Sequence, residues 1–214
     1  MIRVMLVDDH AVVREGYRRL LELQGDLQVV AEAADGEQAL LRWREAQDRE
    51  PVDVMVVDLA LPGLGGLELI ARLRQRDARC RLLAFSMHRD PAWAAQALKA
   101  GALGYVTKSS PPEQLVQAVR AVHEGRRGIS PDIAGDVAAA LVEASTDAAP
   151  HGLSPREFEV LRALVAGRSP ADIAEALHLS VKTVHNVHYQ VKSKLGVGSD
   201  FELARLAWQR GWLG

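Results

Sequence analysis

The chain has 214 residues, 48% of them apolar and 25% charged, with a formal net charge of −2 and one cysteine, Cys80. That length accommodates one or two domains, not three. The balance is that of a globular chain rather than a disordered one, and a lone cysteine excludes an internal disulfide framework. No apolar run approaches the ~20 residues that cross a bilayer. Met1–Val7 meets Asp8-Asp9 too soon for a secretory signal, so the expected location is the cytoplasm.

Along residues 1–125 a short apolar run is followed by a helical pattern, again and again. The runs are Arg3–Val7, Gln28–Glu32, Val52–Val57, Arg81–Phe85 and Gly104–Thr107, and the helical patterns lie near 11–23, 36–47, 66–76, 91–100 and 112–124. Alternation of this kind predicts a parallel sheet covered by helices on both faces. Asp90-Pro91 supplies an N-cap and a proline at the first helical position. Gly125-Arg126-Arg127-Gly128 breaks the pattern. Ser130-Pro131 then starts an Ala-rich helix over 132–143, and 144–150 reads as linker.

Residues 151–214 carry no strand signal. Ser154-Pro155-Arg156-Glu157 is a capping box, Ser169-Pro170-Ala171-Asp172 repeats the device with a shorter acid, and Ser180 caps a third helix running to about Leu195. Gly167 stops the first of these helices, and Gly196 and Gly198 follow the third. A fourth spans about Asp200–Gln209, giving a small four-helix domain. Eight Lys/Arg against six Asp/Glu leave this segment with a net charge of +2 and residues 1–150 with −4. So small an asymmetry does not announce nucleic acid; any such case rests on local placement.

Chemistry concentrates at the predicted strand ends. In an open parallel sheet ligands bind at the carboxyl ends of the strands. Here the first strand ends in Asp8-Asp9, the third in Asp58 and the fourth in Ser86, and Lys108 follows the fifth. Each residue alone has an ordinary reading as a turn or helix cap; four successive strand ends with matching chemistry do not. Clustered carboxylates repel unless a cation relieves them, and Mg2+ prefers oxygen ligands and accepts a phosphoryl oxygen. A carboxylate can also attack a phosphoryl group, giving an acyl phosphate. Lys108 would balance the added charge, with the Ser86 hydroxyl donating to the phosphoryl.

Val7-Asp8-Asp9-His10, Val57-Asp58-Leu59-Ala60-Leu61-Pro62-Gly63, Phe85-Ser86 and Gly104-Tyr105-Val106-Thr107-Lys108 resemble the receiver domains of two-component response regulators over residues 1–125. The resemblance implies a five-stranded sheet in the order 2-1-3-4-5. It implies Asp58 as the acceptor of phosphate from a sensor histidine kinase. It implies Mg2+ held by Asp9, Asp58 and the backbone carbonyl of Ala60, with Asp8 acting mostly through water. Ser86 and Tyr105 would form a switch pair, with Tyr105 following Ser86 inward. Ala60 and His88 occupy positions that tune phosphate lifetime in that family; His88 itself is expected to be an exposed loop residue.

In the helix over 181–195, Val184, Val187, Val191 and Leu195 form one apolar stripe. Lys182, His185, Asn186, Tyr189 and Lys192 fall on the opposite face, where Asn suits adenine and the others suit phosphates or base edges. The preceding helix (170–177) and the turn to Ser180 complete a helix-turn-helix pattern. A solvated face on a helical bundle fits the same residues equally well. His185 and His188 lack a Cys or carboxylate nearby, so a metal site is not expected there.

Leu153-Ser154-Pro155-Arg156-Glu157, Ile173-Ala174, Lys182-Thr183-Val184 and Lys194-Leu195-Gly196-Val197 resemble the LuxR-type helix-turn-helix. Joined to a receiver, the chain is similar to the NarL/FixJ group. The resemblance implies groove contacts from Lys182, Thr183, His185, Asn186 and Tyr189, with Lys192 and Lys194 near phosphates. Val187 stands where that family usually has His, a departure expected to affect packing more than readout. Leu203 and Leu206 of the last helix are expected on a dimer surface. The whole predicts a two-domain regulator, 1–125 receiver, 126–150 linker with a helix, and 151–214 DNA-binding domain. It would act as a homodimer on inverted-repeat DNA, with RNA polymerase a further partner, and would be no enzyme beyond its own phosphorylation and dephosphorylation. The alternatives are a phosphate-independent DNA-binding regulator that uses the receiver to dimerise, and an aspartyl-phosphate phosphohydrolase. The second is disfavoured because such enzymes carry an Asp-x-Asp motif on the first strand, whereas Asp8 and Asp9 are adjacent.

Overall fold

The computed structural model describes residues 1–47, 51–143, 153–210 and 212. The expected linker 144–150 lies outside the described residues. The first five strands are β1 (Ile2–Val7), β2 (Leu27–Ala33), β3 (Val54–Asp58), β4 (Leu82–Ser86) and β5 (Gly104–Thr107). The helices between and after them are α1 (Ala11–Glu22), α2 (Gly36–Gln47), α3 (Gly66–Arg76), α4 (Pro91–Ala100) and α5 (Pro112–His123). All pairings are parallel.

Alternation at period two sends each strand's side chains to opposite faces. Met5, Val7, Met55, Val57, Leu82, Ala84 and Tyr105 pack against α2, α3 and α4. Val4, Leu6, Val54, Val56, Leu83, Phe85 and Val106 pack against α1 and α5. Both faces are covered, which is why the strands read as near-continuous apolar runs.

The sheet has six strands rather than five, in the order β2-β1-β3-β4-β5-β6. The added β6 is only Gly128–Ile129. So short a segment has no periodicity to detect. It forms because Gly125 at φ 77° turns the chain back along β5, where Gly128 pairs with Gly104; a Cβ on Gly104 would lie 2.2 Å from the Gly128 carbonyl oxygen, and one on Gly128 would press on Ala118 of α5. The Ala-rich helix follows as α6 (Pro131–Glu143) and lends Ile133 and Val137 to the receiver core. The receiver's packed unit therefore runs beyond residue 125.

The C-terminal helices are α7 (Pro155–Val165), α8 (Pro170–Ala176), α9 (Val181–Leu195) and α10 (Asp200–Gln209). Ser154 and Ser169 each form a complete capping box, and Ser180 and Ser199 cap α9 and α10. Leu161, Val191, Leu203, Ala207 and Trp212 make one core, and Val160, Ile173, Ala174 and Val184 a second. Val187 packs against both, so the missing family His is replaced by an apolar joint between them. Leu203 is buried and Leu206 packs against the core. The expected dimer face on these leucines is corrected by helix phase: Phe201 and Trp208, 79% and 73% exposed, occupy the outward side of α10.

The two domains are docked through α7. Phe158 is fully buried and belongs to the receiver core, its ring edge-on to Trp93 of α4 with centroids 5.2 Å apart. Arg156 donates to the Gly63 carbonyl at 3.0 Å. Arg162 pairs with Asp90, the N-cap of α4, with both side chains nearly buried. Glu159 sits against Gly65 so closely that a Cβ there would lie 2.3 Å from Oε1. Burial pushes the Glu159 carboxyl up to about 7, against the pull of Arg156 and with added repulsion from Glu68.

Stability should therefore depend on pH through Glu159. The folded carboxyl keeps its proton to about pH 7, whereas an unfolded one releases it near 4.5. Its contribution is full below pH 4.5 and lost as pH rises through 7, in the limit by on the order of 3 kcal/mol. Glu159→Gln should gain stability relative to wild type as pH is raised across that window in thermal unfolding. A difference between the two proteins that does not change with pH would contradict this.

Candidate functional site

The register of the sheet builds the first site. Val7 pairs with Val57, placing Asp8 beside Asp58, the last residue of β3. Ser86 ends β4 and pairs with Thr107 of β5, so Lys108 emerges next to it, its N–H donating to the Ser86 carbonyl at 2.7 Å. Lys108 Nζ donates to Asp8 Oδ2 and to Asp58 Oδ2, each at 2.6 Å. Both carboxylates are nearly buried, and so is the lysine side chain, at 8% exposure. Burial alone would lower the lysine's proton affinity; Asp58 and Asp8 together outweigh it and hold the ammonium above its usual value. Burial raises Asp58, with Lys108 opposing.

Backbone groups fix both acids. The Ala60 N–H donates to Asp58 Oδ1 at 3.0 Å and the His10 N–H to Asp8 Oδ1 at 2.8 Å. Asp9 is the open member of the trio, with His10 Nδ1 2.8 Å from its Oδ1. One donor atom each from Asp8, Asp9, His10 and Asp58 lie within 4.8 Å of one another. Three carboxylates against one ammonium leave net negative charge in a confined volume, and the oxygen donors suit a hard cation. The expected pocket of Asp8, Asp9, Asp58, Ser86 and Lys108 is thus brought together at one rim.

Tyr105 is fully buried, and its hydroxyl donates to the His88 carbonyl at 2.7 Å; burial raises its pKa. The inward position expected to follow Ser86 is already occupied. His88 is not the exposed loop residue the sequence suggested. Its N–H donates to Ser86 Oγ at 3.2 Å, and its ring stacks on Trp93 with centroids 4.5 Å apart and planes 7° from parallel. Sequence reasoning missed this because the partner, Trp93, reads from helical spacing as one more core residue.

On α9, Lys182, His185, Asn186 and Tyr189 are exposed on successive turns of one face, Tyr189 at 74%. Thr183 is partly occupied, its hydroxyl 2.8 Å from Ser180 Oγ. The two remaining cations are engaged within the domain: Lys192 with Asp200 at 2.9 Å and Lys194 with the capping-box acid Glu157 at 2.7 Å. His188 Nε2 lies 2.9 Å from the same Asp200. The turn before α9 passes through His178 at φ 50°, a left-handed position that His tolerates better than most side chains. Among the described residues Lys182, His185, Asn186 and Tyr189 are thus the side chains of this face that remain exposed and unengaged by the contacts given above.

A carboxylate–lysine pocket at the rim of a doubly wound sheet, docked to a helix-turn-helix whose reading face is open, defines a transcription regulator with a receiver input. Known proteins of similar sequence and structure agree with this class. Residues 4–120 match the response regulator receiver domain and residues 151–207 the bacterial regulatory proteins of the luxR family. The chain belongs to the NarL/FixJ family of two-component response regulators. It is 38% identical to the response regulator UvrY of Escherichia coli O6:H1 over 99% of this chain and 95% of that one. A LuxR-family response regulator from Aurantimonas is 52% identical over 65% of this chain and 97% of its own, with a TM-score of 0.60. RcsB from Salmonella enterica, solved on the rprA promoter with the phosphomimetic BeF3−, is 26% identical over 95% and 96%, with a TM-score of 0.64.

The lysines separate two kinds of role. Lys194→Ala should lower the thermal stability of the output domain by about 1 kcal/mol, because Glu157 loses a partner while capping α7. Lys182→Ala should leave stability unchanged and weaken DNA binding, with part of the loss confined to the base pair that its groove contact reads. Equal loss of stability in both variants would contradict the division.

Proposed function

We propose that Asp58 is the phospho-acceptor of this response regulator, receiving phosphate from a sensor histidine kinase, and that the gain of charge there controls how two output domains meet on DNA. The observation that supports it is the pair of 2.6 Å contacts from Lys108 to Asp58 and Asp8. Asp8 shares the burial, the backbone N–H and the lysine contact; Asp58 is chosen because it ends β3, the position at which receiver domains carry the acceptor, beside a cation that can follow the charge of an added phosphoryl. Attack of a carboxylate oxygen on the phosphohistidine phosphorus forms the acyl phosphate and returns the imidazole to the kinase. Mg2+ would be held by Asp9 and Asp58 with the Ala60 carbonyl, and Asp8 beside it; bound there, it shields the anionic phosphoryl from the carboxylates. Ser86 is placed to donate to a phosphoryl oxygen, and Lys108 to compensate the new charge.

The output side follows from exposure. Docking through α7 leaves Lys182, His185, Asn186 and Tyr189 open, so the receiver does not act by covering the reading face. It acts on geometry: a docked domain is held in one orientation, and a released one can pair through the outward Phe201 and Trp208 and place a second α9 one helical turn away on an inverted repeat. RNA polymerase would be met by the assembled dimer. The chain is not proposed to turn over a phosphoester, and its work is cytoplasmic.

Incubation with acetyl phosphate and Mg2+ followed by peptide mapping should place one phosphoryl group on Asp58, and Asp58→Asn should remove it. Label persisting in Asp58→Asn would overturn the assignment. Phosphorylation should raise affinity for an inverted repeat and leave affinity for an isolated half-site unchanged. Equal gains on both would favour unmasking of the reading face, and no gain on either would favour a regulator that ignores phosphate.

A further inference from the structure

Between the Ser86 hydroxyl and the output domain runs an unbroken line of contacts. Ser86 Oγ accepts from the His88 N–H at 3.2 Å, and the His88 carbonyl accepts from the Tyr105 hydroxyl at 2.7 Å. One residue's backbone is thus the partner of both members of the switch pair. The same residue's ring lies flat on Trp93, and Trp93 meets Phe158 of α7 edge-on. Phe158 is fully buried in the receiver core.

We infer that His88 is the residue that carries a change at Ser86 to the output domain, by holding Trp93 in the position that seats Phe158. The inference rests on the reading that phosphate on Asp58 loosens the docked arrangement. A phosphoryl oxygen that takes the Ser86 hydroxyl at ordinary O–H···O distance, about 2.7 Å, draws Oγ away from an N–H already at the long end of the N–H···O range. The His88 peptide then shifts, and its ring slides on the indole. Ring stacks of this kind contribute modestly beyond the area they bury, but this one acts on a seam with little margin. Trp93 Nε1 and Glu159 Oε1 are buried there with no hydrogen-bond partner among the described residues, each an unsatisfied polar group that costs free energy to bury. Glu159 also faces Glu68, and Gly65 is pressed against it. An interface assembled with such costs is one that a modest push can open, because a population shift follows from a modest difference in ligand affinity between states.

His88 touches neither reacting atom; it positions Trp93. The test uses the full chain with Mg2+ and BeF3− as the probe, reading amide hydrogen exchange in α7. In wild type, BeF3− should speed α7 exchange about tenfold. His88→Ala should show the fast exchange without BeF3− and no further response to it, while still taking label from acetyl phosphate on Asp58. His88→Phe, which keeps a flat ring over Trp93 and the same backbone bonds, should restore the wild-type response. An unchanged BeF3− response in His88→Ala, failure of His88→Phe to rescue, or loss of labelling in His88→Ala would each overturn the relay. If wild-type α7 itself does not respond to BeF3−, the docking reading beneath it fails instead.

Discussion

Two carboxylates and one ammonium, nearly buried and in direct contact, are the constraint on which the receiver depends. Asp8, Asp58 and Lys108 come from three separate strand ends, and each charge is tolerable at that depth only because the others are there. The pocket therefore ties β1, β3 and β5 together at the rim and at the same time holds a site whose charge balance is easily changed. Adding a doubly charged group to Asp58 alters that balance more than any rearrangement of neutral side chains could. A signalling pocket and a structural brace are here the same atoms.

The rest of the molecule is arranged so that the rim is felt elsewhere. α4 begins just after Asp90, four residues beyond Ser86, and Asp90 both caps α4 and grips Arg162 of α7. The output domain is thus fastened to the helix nearest the switch hydroxyl rather than to a distant face. The seam is specific, with an aromatic plug and an ion pair, but it carries unsatisfied polar atoms and a carboxyl that resists ionisation. Those features weaken it without loosening its geometry, which is what a two-state joint requires.

Much of this was legible in the amino-acid order. Asp8-Asp9, Asp58, Ser86 and Lys108 stand at strand ends, and topology alone carries them to one rim. The capping boxes at Ser154 and Ser169 and the stripe of Val184, Val187 and Val191 place the helix-turn-helix. What could not be read were contacts made across the two domains. Phe158 looks like a core residue of the output domain and is one of the receiver; Glu159 is buried against Gly65, while the partly buried Arg156 and Arg162 reach the Gly63 carbonyl and Asp90 across the seam. His88 has no periodicity that marks it, since its importance lies in a stack with a residue on another element. β6 is too short for any pattern, and the ion pairs of Lys192 with Asp200 and Lys194 with Glu157 join residues whose spacing announces no contact. Leu203 and Leu206 were displaced from the expected dimer face by a small error of helix phase, enough to exchange the inner and outer sides of α10.

Charge gained in the acid–lysine pocket is, on this mechanism, converted into separation of α7 from the receiver. The most direct measurement is the distance between one spin label on exposed Arg72 of α3 and another on exposed Arg168 after α7, introduced by cysteine substitution in the full chain. It is recorded with Mg2+ alone and with Mg2+ and BeF3−. The expected result is a short, narrow distribution that becomes longer and broader when the phosphoryl mimic is added, and no such change in Lys108→Ala. A distribution that BeF3− leaves untouched in the wild type would contradict the mechanism.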